Sequence, residues 1–190
     1  VVLSVNDLDD FAGFSQALDG VPAGQTVRRV VILGGGLIGC EFANDLLARG
    51  MVPTVVDVAD HVLARLLPTE ASALLQARLE AAGAQFKLGV GAVSVSRTAS
   101  GLNLTLSDGS TLQADLIVSA VGLKPRTSLA AQAGAAAGRG VQVNHLLATS
   151  VPHVHALGDC AEVDGQWLPY VMPLMQQTRA LAATLAGKPT

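Results

Sequence analysis

The chain has 190 residues, half of them hydrophobic, and a formal net charge of −3. That is enough apolar material for a substantial core in one or two domains, while an acidic balance with few, scattered basic residues excludes a general nucleic-acid binder. The apolar runs stop well short of the roughly 18 residues of a membrane span, and no charged stretch followed by an apolar one opens the chain as an export signal would, so a cytoplasmic protein without membrane partners is expected.

Residues 1–25 are expected to hold a short strand from Val1 to Val5, an Asp-capped helix from Leu8 to Leu18 and a turn-rich connection from Asp19-Gly20 to Gly24. The chain opens VVLSVNDLDD, without Met and inside a strand, so it is expected to be a fragment of a longer protein.

The most informative segment follows. Val30 to Glu41, VVILGGGLIGCE, joins a β-branched run directly to Gly34, Gly36 and Gly39 in G-x-G-x-x-G spacing. It reads as a strand, a tight turn and a helix start. Gly34 permits the turn, Gly36 lets the backbone approach a pyrophosphate, and Gly39 lets the helix pack closely on the strand. The amides opening the helix, those of Leu37 and Ile38, would carry the phosphate charge. With 20 glycines in the chain such spacing arises by chance, so its context decides. Glu41 to Arg49 has helical apolar spacing (Phe42, Ala43, Leu46, Leu47), Gly50 is a natural stop, and Pro53 to Val58 reads as a second buried strand. This is a βαβ unit of the size a dinucleotide needs. At the end of its second strand stands Asp57, 23 residues after Gly34, where a carboxylate accepts hydrogen bonds from an adenosine ribose. No Arg or Lys follows before Arg65, so NAD(H) is favoured over its 2′-phosphorylated form.

A helix is expected from Thr69 to Ala82, with Thr69 as N-cap, Leu74, Leu75 and Leu79 on its apolar stripe and Gly83 as its stop. Three period-2 stretches come next, Phe86 to Val95, Leu102 to Leu106 and Thr111 to Ala114, with Asp108-Gly109 between the last two: an antiparallel meander. It leads into DLIVSAV at 115–121, a continuously apolar strand suited to the middle of a parallel sheet. The expected fold class is therefore α/β, a doubly wound, Rossmann-like NAD(H)-binding domain over residues 26–146 with the meander as a crossover. Ala130 to Gly140 reads as an alanine-rich helical turn followed by a glycine loop.

Cys40 and Cys160 are far apart and form no C-x-x-C pair, so both read as small buried residues. The four histidines, His153 and His155 among them, make no metal-ligand set, and no metal site is expected.

Three motifs in order, VVILGGGLIGCEFANDL at 30–46, LIVSAVGLKPRT at 116–127 and TSVPHVHALGDCAE at 149–162, resemble the central and C-terminal parts of pyridine nucleotide-disulfide oxidoreductase-like FAD/NAD flavoproteins, in particular those that serve rubredoxin. The resemblance implies an FAD-dependent NADH oxidoreductase in which reduced flavin releases single electrons to rubredoxin or a similar small carrier. It further implies that Asp159 bonds the flavin's ribityl chain, that Gly122 lets the chain pass close to the dinucleotide, and that Glu41 lies near the nicotinamide. From the residues alone Glu41 is equally a carboxylate favoured by the helix dipole, and Gly122 an ordinary turn glycine. Leu168 to Gly187 resembles the helix whose N-terminus, near Met172 to Leu174, points at the flavin ring; Leu174, Ala180, Leu181 and Leu185 would be buried on it, and Met172 and Met175 would pack. No general acid, base or nucleophile stands out, so no catalytic residue is assigned.

The chain departs from the family in lacking a first glycine fingerprint for FAD. Residues 1–25 are accordingly expected to close a first FAD-domain segment, and 147–190 to form an incomplete return segment of that domain. The fragment alone is expected to be inactive and prone to self-association. Ferredoxin, flavorubredoxin, nitrite or a disulfide are alternative acceptors on the same fold. A non-catalytic NAD-binding redox sensor is the alternative from another class.

Overall fold

β-branched runs alternate with amphipathic segments along the first two thirds of the chain, and that order sets the architecture. The computed structural model describes residues 2–19 and 29–188. Its elements are β1 (Val2–Ser4), α1 (Leu8–Asp19), β2 (Arg29–Leu33), α2 (Leu37–Ala48), β3 (Val52–Asp57), α3 (Thr69–Ala81), β4 (Gln85–Leu88), β5 (Ala92–Thr98), β6 (Gly101–Leu106), β7 (Thr111–Ala114), β8 (Leu116–Ser119), α4 (Ser128–Gln132), β9 (Val141–Val143), a 3-10 turn at Gly158–Cys160, β10 (Ala161–Val163) and α5 (Val171–Leu185). The expected turns from Gly20 to Gly24 lie outside the described residues. The chain divides into two compact units, Val1–Leu123 and Lys124–Thr190.

The first unit is built on a parallel sheet of order β1-β8-β2-β3-β4. Side chains alternate across it, as the pleat requires. Val30 and Ile32 of β2, Val55 of β3 and Val118 of β8 face Phe14 and Leu18 of α1 and Ala43 and Leu46 of α2. Val31, Val56 and Ile117 face the other way, onto Leu102, Leu104, Leu106 and Ala114 of the meander β5-β6-β7. The sheet is thus covered by helices on one face and by an antiparallel sheet on the other, which is why its central strands read as unbroken apolar runs. Each fully buried aliphatic side chain contributes about 1.5–3 kcal/mol. α1 starts where Asp7 Oδ1 accepts the Asp10 amide at 2.9 Å, the expected cap. Arg29 and Asp115, 2.6 Å apart and partly exposed, tie the entry of β2 to that of β8 and are worth at most about 1 kcal/mol.

In the second unit β9 and β10 pair in parallel, and Val143, Leu147 and Ala161 form a small core onto which Ala180 and Leu181 of α5 pack. Among the described residues no helix is long and apolar enough to cross a membrane.

Several elements differ from the sequence reading. The single stretch Phe86 to Val95 is two strands: β4 joins the parallel sheet beside β3, the chain turns at Gly89 and Gly91, and β5 opens the meander. The cap of α3 is Pro68, extended at φ −67°, ψ 157°, with Thr69 already helical and making no cap bond. Leu74 is 72% exposed; the buried positions of α3 are Ser72 and Leu79. On α5, Leu185, Met172 and Met175 are exposed rather than packed. β1 pairs with β8 in the main sheet and α1 supplies Phe14 and Leu18 to its core, so this N-terminal segment sits in the first compact unit, which ends at Leu123.

Candidate dinucleotide site

Strands β2, β3 and β8 run parallel, so the segments leaving their carboxyl ends emerge along one edge of the sheet. Gly34–Gly36 follows β2, Asp57 ends β3, and Val121–Gly122 follows β8. Ligands of open α/β sheets lie outside this edge.

The Gly34 amide donates to the Val56 carbonyl at 2.8 Å, and the Ala120 amide donates to the Leu33 carbonyl at 2.7 Å. Gly34 has φ +108°, and a Cβ there would stand 2.5 Å from the Ala120 carbonyl oxygen. Only glycine serves that turn. At Gly39, in the first turn of α2, a Cβ would collide with the Gly34 carbonyl oxygen. Gly36 is different. It is the N-cap of α2, with an ordinary φ of −75° and exposed, and a Cβ on it would meet nothing within 4 Å. Nothing inside the protein requires glycine there; the open space lies at the positive end of α2, where the amides of Leu37 and Ile38 begin the helix and lack intrahelical acceptors.

Between these glycines, Gly35 is held from both sides. Its amide donates to Asp57 Oδ2, and its carbonyl accepts the Leu63 amide at 2.8 Å. Asp57 Oδ1 accepts the Ala59 amide at 2.8 Å. The half-buried Asp57 carboxylate therefore shapes the loop besides facing the edge where an adenosine would lie. Glu41 is exposed one turn into α2, and Gly122 is exposed with φ +117°.

Cys40 is buried behind the loop with its Sγ 3.6 Å from the Gly35 carbonyl. Burial pushes its thiol up to about 11, with the Asp57 and Glu41 carboxylates adding to the effect. At neutral pH the thiol is therefore held in its protonated form.

Asp159 belongs to the second unit. It is exposed in the 3-10 turn, where its backbone carbonyl accepts Trp167 Nε1 at 2.8 Å; the Arg139 guanidinium lies 4.3 Å from the Trp167 ring centre. Among the described residues no group of His, Cys, Asp or Glu could hold a metal ion. Leu63, which bonds Gly35 from outside the fingerprint, is not legible from spacing, because the contact joins segments that only the fold brings together.

Residues 1–184 match the family model of the pyridine nucleotide-disulphide oxidoreductases. The chain belongs to this family. Within it, the chain is similar to the rubredoxin-NAD(+) reductase of Alcanivorax borkumensis, 48% identical over 190 residues that make up 100% of this chain and 48% of that protein. It is also similar to the nitric oxide reductase FlRd-NAD(+) reductase of Aeromonas salmonicida, 45% identical over 167 residues, 87% of this chain and 43% of the other. The solved ferredoxin reductase for the CYP199A2 system from Rhodopseudomonas palustris superposes with a TM-score of 0.87 at 33% identity, covering 99% of this chain and 47% of that one. The chain thus spans about half the length of the curated relatives it matches. The family uses NAD(H) and FAD, and this chain's glycine fingerprint lies in the sheet-edge loop described above.

Proposed function

We propose that the chain carries the NADH-binding part of an FAD-dependent reductase that passes electrons from NADH through flavin to a small one-electron carrier, rubredoxin by preference. The observation that carries this reading is Gly36. Its neighbours Gly34 and Gly39 are required by contacts within the protein, whereas Gly36 faces open space at a helix N-terminus, with no contact in the protein that requires glycine. A pyrophosphate fits there against the amides of Leu37 and Ile38.

Asp57 would accept the ribose hydroxyls, and with no Lys or Arg before Arg65 a 2′-phosphate would face the Asp57 carboxylate without a Lys or Arg partner from this segment. Glu41, exposed one turn into α2, would lie on the nicotinamide side, with Gly122 giving close passage. Flavin, when bound, supplies the conversion from two-electron to one-electron transfer. The exposed Asp159 carboxylate would hold a ribityl hydroxyl, and this chain's residues otherwise bind and orient. The names of its relatives, which include reductases of rubredoxin and of FlRd, support a small redox protein as acceptor.

Two measurements test the reading. Calorimetry of the 190-residue chain should show NADH binding in preference to NADPH. A polypeptide of the relatives' full length containing this sequence should oxidise NADH fastest with rubredoxin, against ferredoxin and flavorubredoxin. Equal or tighter NADPH binding would sink the assignment of Asp57, and no oxidation with any carrier would sink the reductase.

A further inference from the structure

Ser72 is a polar side chain with 0% exposure in the body of α3, outside every motif in the sequence. Its hydroxyl donates to the Val62 carbonyl at 2.6 Å, in the loop between β3 and α3. The next residue, Leu63, sits in the left-handed region at φ +52°, a conformation that leucine adopts only where surrounding contacts hold it. Val62 and Leu63 are both buried, against Cys40, Leu79 and Ala84. The Leu63 carbonyl accepts the amides of Leu66 and Leu67 at 2.7 and 3.0 Å. The Leu63 N–H donates to the Gly35 carbonyl at 2.8 Å.

The consequence follows from peptide planarity. The Gly35 carbonyl and the Gly36 N–H share one trans peptide plane and point in opposite directions. Holding the carbonyl toward Leu63 turns the Gly36 N–H away from it, and Gly36 is the exposed N-cap of α2, facing open space. We propose that Ser72 is a positioning residue for dinucleotide binding: by gripping Val62 it keeps Leu63 on the Gly35 carbonyl and so aims the Gly36 N–H at the pyrophosphate. This rests on the reading of the glycine loop as an NADH site.

The test is calorimetric titration of NADH and of ADP-ribose into the chain, Ser72→Ala and Ser72→Cys, at a temperature well below each melting midpoint. A purely structural hydroxyl would lower the midpoint and leave both affinities unchanged. A positioning hydroxyl weakens both ligands, roughly three- to tenfold in Ser72→Ala and less in Ser72→Cys, whose thiol is a poorer donor. Amide hydrogen exchange at Leu63 should quicken in the same order. If Ser72→Ala does not fold, Ser72→Cys decides by the same criterion. Undiminished affinity in the folded variant overturns the role of Ser72 alone, whereas an unsubstituted chain that fails to bind NADH overturns the dinucleotide reading and this proposal with it.

Discussion

Replacing Gly36 separates binding from folding more cleanly than any other change in the glycine loop. Its φ of −75° and ψ of −169° suit alanine or valine, and a Cβ would meet nothing within 4 Å, so neither strain nor collision follows. Two small effects on stability remain, and they oppose each other. Removing a glycine restricts the unfolded chain and stabilises by about 0.4–1 kcal/mol, while an apolar N-cap in place of glycine costs about 0.5–1 kcal/mol. The sum lies within roughly 0.5 kcal/mol of zero, a shift of only a few degrees in melting midpoint. Binding is affected far more. Hydrogen bonds to a charged group contribute about 1.5–3 kcal/mol each, and a side chain at Gly36 that keeps a pyrophosphate off the helix amides forfeits at least one, a loss of roughly ten- to 150-fold in affinity. Valine should therefore abolish measurable NADH binding and alanine should weaken it. Differential scanning calorimetry and NADH titration on the same preparations read both effects. Gly39→Ala is the contrasting control, because its methyl collides with the Gly34 carbonyl and should cost stability first. Unchanged NADH affinity in a folded Gly36→Val would refute the reasoning.

Asp57→Ser combined with Val58→Arg should move preference from NADH toward NADPH, checked by competitive titration; retained NADH preference would show that selection lies elsewhere. Cys40 should make stability fall between about pH 9, the ordinary thiol range, and about pH 11: the folded state keeps the thiol neutral to higher pH than the unfolded chain does, so its contribution is present below that window and lost through it. Urea midpoints across that range should lose this component in Cys40→Ala, and an identical decline in both proteins would exclude it. The 190-residue chain should purify colourless while still binding NADH, because one carboxylate at Asp159 offers about 0.5–3 kcal/mol, too little to hold FAD; a stoichiometric flavin spectrum would contradict this.

Much of the first unit was legible because its signals are local. The run from Val30 to Leu33 and the glycines after it specify strand, turn and helix within ten residues, and Asp7 marks the start of α1 by bonding the Asp10 amide. Legibility failed where an outcome depended on distant partners. Phe86 to Val95 alternates well enough for one strand, and only pairing of Gln85–Leu88 with β3 and of Ala92–Thr98 with β6 divides it. β1 looks the same in sequence whichever sheet it joins, so its place beside β8 required the ladder itself. Periodicity on α3 favoured Leu74, yet Ser72 takes the buried place because a loop carbonyl there needs a donor. The roles of Gly34 and Gly39 in packing were readable from spacing; the grip on Gly35 by Asp57 and Leu63 was not, since neither contact follows a sequence interval.

That grip changes what the acidic residue at the end of β3 does. Its place after β3 suits Asp57 to ribose hydroxyls, but both of its oxygens already accept backbone amides, those of Gly35 and Ala59. A carboxylate has about four acceptor sites, so each oxygen can take a ribose hydroxyl as well, and the two tasks are compatible in one side chain. Deleting the side chain removes both. Removing the carboxylate to admit a 2′-phosphate also releases the Gly35 amide, the N–H that ties the Gly34–Gly35 peptide to the end of β3 next to the peptide presenting the Gly36 N–H. If Asp57 selects the cofactor as proposed, that choice and the loop geometry share one residue, and a switch toward NADPH through Asp57 should cost affinity for the pyrophosphate common to both nucleotides, unless the replacement side chain still accepts from Gly35.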